Sequence, residues 1–319
     1  MQNACAKKKG AIIMQNHYIN LLAQAEKLFR HNRQGSYKTK IRYFDAFKRF
    51  LRFVADEYHL EKLANLSGKH MEAYFVHLRE KGTAASTIKT DASAIRFWHD
   101  QIPNSKYKLP TNEDLSLEKR RVGGVDRRWS DREFNLMIAE CRNAKRDDFE
   151  ACIVVARYAG LRIHEVMRID TSIARAALKN GYIRIKGKGG KIRDVPINDT
   201  IRIEFKKFLK LTPPGQKLFV PKTKTTHSVI TELEKFILKH RKNVQPPDSD
   251  QNFPITFHGL RHTYAAEQYL AFLVQNYSES DAKKKVSELL GHTRPNIVSL
   301  YLAGVENSSE SGAGGDCNV

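Results

Sequence analysis

Five short segments of the chain concentrate side chains able to do chemistry. They are Gly160-Leu-Arg162-Ile-His-Glu165, Gly187-Lys188-Gly189, His258-Gly-Leu-Arg261-His262, Leu290-Gly-His292 and Tyr301. Guanidiniums grip anionic oxygens through paired hydrogen bonds. Imidazole and ammonium groups exchange protons, and a phenol can form a covalent intermediate. Three other patterns lead nowhere. His164-Glu165-Val-Met-Arg168 starts like a metalloprotease helix but has Arg where the second His must stand. Gly187-Lys-Gly-Gly-Lys191 lacks the spacing and the Ser/Thr of a nucleotide-binding loop. His258 and His262 are spaced as metal ligands on a helix can be, but no third ligand is evident. The sequence therefore indicates no metal site and no cofactor.

In this order the five segments resemble the tyrosine recombinase (phage integrase) family, similar to mobile-element integrases and Xer-type recombinases. Its Arg box, hairpin Lys, H-x-x-R box, L-G-H and Tyr all have counterparts here, and Tyr301 follows His292 by the family's step. The resemblance spans roughly residues 17–305. It implies a catalytic set of Arg162, Lys188, His258, Arg261, His292 and Tyr301. Tyr301 would conserve the phosphodiester energy in a 3′-phosphotyrosine bond, so that DNA strands are cut and rejoined without an energy cofactor. Arg162 and Arg261 would clamp the phosphate, with His292 as a third donor. His258 would take the tyrosine proton and Lys188 would protonate the departing 5′ oxygen. Glu165 is a supporting residue that orients Arg162 or a neighbour. Lys186 and Lys191 flank Lys188, so a basic tip that only grips phosphate competes with the acid role. His164 and His262 read as packing or hydrogen-bonding residues. Tyr264, just after the Arg261 box, is the main decoy for the nucleophile.

These residues need a frame, and the apolar spacing describes a mainly α fold. Residues 17–102 read as four helices, and the resemblance implies that they form a core-type DNA-binding domain. Its helices cover 17–33, a stretch capped by Ser36, another begun at Ser67 and a fourth from near Ser86 to Pro103. Residues 1–16 form an N-terminal extension. Residues 103–128, charged and aperiodic, read as a linker. A mostly helical catalytic domain at 129–305 follows, opened by the capping box Ser130-Asp-Arg-Glu133. It carries a buried helix at 149–159 and a small β-hairpin, where Ile183 and Ile185 alternate with Arg184 and Lys186 before a Gly-Gly turn. Helices are expected at 199–211, 226–242, 259–276, 281–290 and 295–303. Residues 306–319 are too small and polar to pack and read as a disordered tail.

Charge points to the partner. The 319 residues carry 55 Lys+Arg against 35 Asp+Glu, a net +20. The excess is concentrated: residues 7–52 hold 12 basic and 2 acidic side chains, residues 151–242 hold 21 and 7. Two basic blocks in separate domains suggest two surfaces on one polyanion. The charge makes nucleic acid the expected partner, and the resemblance implies double-stranded DNA carrying a recombination site, gripped in a C-shaped clamp. The resemblance implies a homotetramer on two DNA sites and allows DNA-bending accessory proteins. No apolar stretch reaches membrane-span length and no signal peptide is evident, so a cytoplasmic, nucleoid-associated protein of a prokaryote or mobile element is expected. The four cysteines lack metal-ligand spacing. The best reading is a site-specific DNA recombinase or integrase. The rivals are an Xer-like chromosome or plasmid dimer resolvase, a relaxing topoisomerase and a non-catalytic DNA-binding protein.

Overall fold

In the computed structural model the chain folds as two compact units, residues 1–120 and 121–319. The structure describes residues 2–117, 125–187, 190–245, 253–291, 295–303 and 305; for 2–15 and 295–297 it describes the backbone alone. The expected disordered tail at 306–319 lies outside the described residues.

Among the described residues the first unit has four α-helices, α1 (Gln2–His31), α2 (Tyr37–Tyr58), α3 (Gly68–Glu80) and α4 (Ala85–His99), with a 3₁₀ turn at Leu63–Asn65. Helix α1 starts at Gln2 rather than at residue 17, so helix runs unbroken through the segment expected to be an extension. Alanine and lysine there are good helix formers and need no apolar stripe to stay helical. The Ser36 hydroxyl accepts from the Thr39 amide at 3.3 Å and caps α2. At α3 the cap is reciprocal, with the Ser67 amide donating to His70 Nδ1 at 3.0 Å. Phe44, Phe47, Leu51 and Val54 bury one stripe of α2. Trp98 of α4 is wholly buried and has the rings of Phe29, Phe44, Phe47 and Phe97 within 6.5 Å, centroid to centroid.

Residues 103–117, expected within a linker, instead pack on this unit. Arg96 Nε donates to the Pro110 carbonyl at 2.7 Å and Arg79 Nη2 to the Leu115 carbonyl at 3.0 Å. Leu115 is buried, with Leu109 and Leu117 against the same core. Arginine side chains take the backbone carbonyls that neither helix nor sheet satisfies. Such anchoring leaves no periodicity to read.

The second unit begins with α5 (Asp131–Asn143), whose Ser130–Glu133 capping box is complete. Helix α6 (Asp147–Ala159) is buried on nearly every face. Two short helices absent from the sequence reading follow, α7 (Ile163–Val166) and α8 (Thr171–Asn180), the latter capped by Asp170. Strands β1 (Tyr182–Lys186) and β2 (Ile192–Pro196) pair antiparallel, with Ile183 opposite Val195 and Ile185 opposite Arg193. Then come α9 (Asp199–Leu211), α10 (Thr226–Val244), α11 (Phe257–Val274) and α12 (Glu279–Leu290). Where a helix was expected at 295–303, a 3₁₀ segment forms at Pro295–Leu300. Val298, Tyr301 and Leu302 join a small core with Tyr264, Tyr269, Val286 and Leu290, which seats this segment on α11 and α12. Arg157 of α6 donates to Glu267 of α11 at 2.5 Å and locks these two helices. Among the described residues, no helix is long and apolar enough to cross a membrane.

Trp98→Ala should destabilise the first unit by about 3–5 kcal/mol through the cavity it leaves. Chemical denaturation followed by circular dichroism measures this, and a loss below about 1 kcal/mol would show that Trp98 does not anchor the core.

Candidate active site

Gly160 closes α6 in the left-handed region, at φ +59°, and a Cβ there would lie 2.3 Å from the Tyr264 ring. Only glycine permits this reversal. The turn delivers Arg162 to the N-terminal cap of α7. The Arg162 amide donates to Glu165 Oε2 at 2.9 Å and its Nη1 donates to Oε1 at 3.1 Å. Glu165 itself is buried, at 1% exposure. From β2, Arg193 adds a fork: Nη1 to Oε1 at 3.1 Å and Nη2 to Oε2 at 2.7 Å. A third guanidinium, Arg261 on α11, stands 3.9 Å from Oε2. Burial alone would raise the Glu165 pKa. The hydrogen bonds from Arg193 and the Arg162 amide, with the charges of Arg193 and Arg261, outweigh it and hold the pKa at about 2.

Arg261 has no exposed surface. Its Nη1 donates to the Gly160 carbonyl at 2.6 Å and Nη2 to the Leu290 carbonyl at 2.5 Å. Burial and the Arg162 charge lower its pKa to about 10, so it is still a cation at neutral pH. One turn before it on α11, His258 Nε2 lies 3.3 Å from the Tyr301 hydroxyl. His262 faces the same phenol, ring centroids 4.4 Å apart and planes tilted by 33°. The Arg261 guanidinium lies 5.8 Å from the Tyr301 ring centre.

His258 keeps an exposed edge. Desolvation of the rest of its ring, followed by the charges of Arg261, Arg162 and Arg127, nonetheless lowers its pKa to about 4. His262 is buried, which together with His258 and Arg127 takes its pKa to about 3. Both rings are neutral at physiological pH, and a neutral imidazole can accept a proton. Tyr264 is a core residue: its ring packs on Gly160 and burial pushes its hydroxyl up to about 12.

Two expected site residues, Lys188 and His292, lie outside the described residues. Their described neighbours meet at Arg193. A Cβ on Gly291 would come within 2.9 Å of Arg193 Cδ, and one on Gly187 would lie 3.5 Å from Arg193 Nη1. Arg193 is absent from the sequence reading, although a signal was available. Val195, two residues on, faces inward like Ile183 and Ile185, so the two-residue period also turns Arg193 inward. An inward-facing arginine needs a buried partner.

Known families match a stretch of each unit. A profile described as the phage integrase family matches residues 128–307, and one described as the phage integrase N-terminal SAM-like domain matches 21–109. The chain belongs to the phage integrase family. It is a tyrosine-type site-specific recombinase, and relatives of it are named tyrosine recombinases. A tyrosine recombinase of Thermosipho africanus is 30% identical over 284 residues, covering 85% of this chain and 90% of that protein. Tyrosine recombinase XerD of Halalkalibacterium halodurans is 23% identical over 282 residues, covering 80% and 83%. Among solved structures, a lambda integrase tetramer bound to a Holliday junction superposes with TM-score 0.63 at 16% identity, covering 88% of this chain and 76% of that one. The Tn1549 transposon integrase in complex with transposon right end DNA gives TM-score 0.59 at 15% identity, covering 91% and 99%.

The recombinase's two neutral histidines make its stability depend on pH. Their folded values of about 4 and 3 lie below the ordinary 6.5. Between these limits the unfolded chain binds more protons, so stability is complete above about pH 6.5 and declines as the pH falls toward 3. The Tm should be lower at pH 5 than at pH 7, and His262→Gln should make that decline shallower. An unchanged slope in the variant would remove His262 from the groups held neutral.

Proposed function

We propose that Tyr301 is the nucleophile that cuts one strand of duplex DNA and holds its 3′ phosphate. The Tyr301 oxygen bonds to phosphorus while its proton passes to His258 Nε2. The bond to the 5′ oxygen breaks, and that oxygen takes a proton from Lys188. Arg162, Arg261 and His292 offset the charge on the non-bridging oxygens, and Glu165 holds Arg162 in place. Rejoining reverses each transfer, with the free 5′ hydroxyl as nucleophile. The observation that carries this reading is the 3.3 Å approach of the Tyr301 hydroxyl to His258, on the helix that also bears Arg261.

Residues 17–102 are assigned to DNA binding and 129–305 to catalysis, with the two basic blocks as phosphate contacts. The enzyme assembles as a homotetramer on two DNA sites in the cytoplasm, with DNA-bending proteins as accessory partners. Integration of a mobile element is the role favoured by the match of the helical unit to the phage integrase N-terminal domain. The XerD relatives favour a second reading, resolution of chromosome or plasmid dimers. Assays joining two separate molecules, or resolving head-to-tail copies on one, distinguish these roles.

On a nicked substrate that loses its small product, the wild-type protein should accumulate as a covalent adduct leaving a free 5′ hydroxyl. Tyr301→Phe should bind the same DNA and form none. Peptide mapping that places the nucleotide on Tyr264, or an adduct in Tyr301→Phe, overturns the assignment. DNA affinity should fall by roughly a thousandfold or more between about 50 and 200 mM salt if six or more phosphates are contacted. A flat titration would remove the basic blocks from the interface.

A further inference from the structure

We infer that Arg193 is a positioning residue for cleavage: it ties strand β2 to the Glu165 carboxylate and so orients the hairpin whose sequence carries the proposed acid, Lys188. The inference rests on the proposed role of Lys188 and extends it to a residue for which motif order offered no role.

Arg193 is 8% exposed on β2, opposite Ile185 of β1. Its guanidinium crosses from the hairpin to α7 and engages both oxygens of Glu165, at 3.1 and 2.7 Å. A buried carboxylate met by a fork has one geometry, since both hydrogen bonds must stay in plane. Glu165 is held in turn by the Arg162 amide and side chain. The hairpin is thereby fixed to the Arg box and not merely packed beside it.

The described residues that flank the tip of the hairpin adjoin the same side chain. The Gly187 amide donates to the Lys191 carbonyl at 2.8 Å, and a Cβ on Gly187 would lie in contact with Arg193 Nη1, 3.5 Å away. Gly291, at the end of α12, packs on Arg193 Cδ so closely that a Cβ would collide with it. A lysine has one point charge on a flexible stem and cannot reproduce the fork. Arg193→Lys therefore keeps the buried charge balanced while releasing the hairpin's orientation.

The test uses the full chain and two nicked substrates, one with the natural 5′ oxygen at the cleaved bond and one with sulfur there. A thiolate departs without a proton, so the sulfur substrate bypasses the lysine. Arg193→Lys at saturating DNA should form adduct about 10- to 100-fold more slowly than wild type on the oxygen substrate, the scale of a small misplacement of a catalytic group. On the sulfur substrate its rate should return to within about threefold of wild type. DNA affinity should not change. A purely structural role would slow both substrates equally, and that result, or a wild-type rate on oxygen, overturns the inference. Lys188→Ala is run beside it. If sulfur rescues Lys188→Ala but not Arg193→Lys, the positioning role fails and the acid assignment survives. If sulfur rescues neither, the acid assignment itself fails.

Discussion

Three guanidiniums converge within hydrogen-bonding or ion-pairing range of one carboxylate, and without it the two buried ones, Arg193 and Arg261, could not share the protein interior. Glu165 accepts from Arg162 and Arg193 and lies 3.9 Å from Arg261. Removing a lone charge from water costs far more than one hydrogen bond returns, so buried cations survive only with a partner. The carboxylate is equally dependent on them, which is why its pKa stays near 2 despite burial. Its position three residues after Arg162 lets it cap α7 at the same time, so a local helix start and a long-range charge cluster are one arrangement.

Around that anion, α11 acts as the frame. His258, Arg261 and His262 fall on one side of it because helical neighbours recur three and four residues apart. Gly259 allows the helix to approach the chain entering α5: a Cβ there would sit 2.5 Å from the Arg127 carbonyl and 2.7 Å from the Trp129 ring. Trp129 completes the joint, its amide donating to Thr263 Oγ1 at 2.8 Å and its indole to the Thr256 carbonyl at 2.8 Å. The helix is clamped at its N-terminal end, where the chemistry is proposed, and its later turns carry the core that seats Tyr301.

Charge and burial act together on the histidines. Burial first, and then the cations proposed to hold the phosphate, disfavour protonation of His258, which leaves its nitrogen available to the phenol. His262, pressed on the same ring, is kept neutral by burial and does not add another positive charge.

The ordered motifs, the caps at Ser36 and Ser130, the buried helix α6 and the alternating hairpin were all legible in the amino-acid sequence. Each is a short-range pattern, set by spacing along the chain and by side chains bonding their own backbone neighbours. The family and the mainly helical class follow from those patterns. Tertiary structure decided what comes from distant partners. Arg193 meets Glu165 across 28 residues, and Arg261 meets the Gly160 carbonyl across 101. Arg96 and Arg79 pin a stretch whose composition reads as linker. The 3₁₀ segment before Tyr301 takes its seat from α11 and α12. An arginine's partner is chosen by which buried carboxylate or carbonyl the fold brings within reach, and spacing along the chain carries no record of that choice.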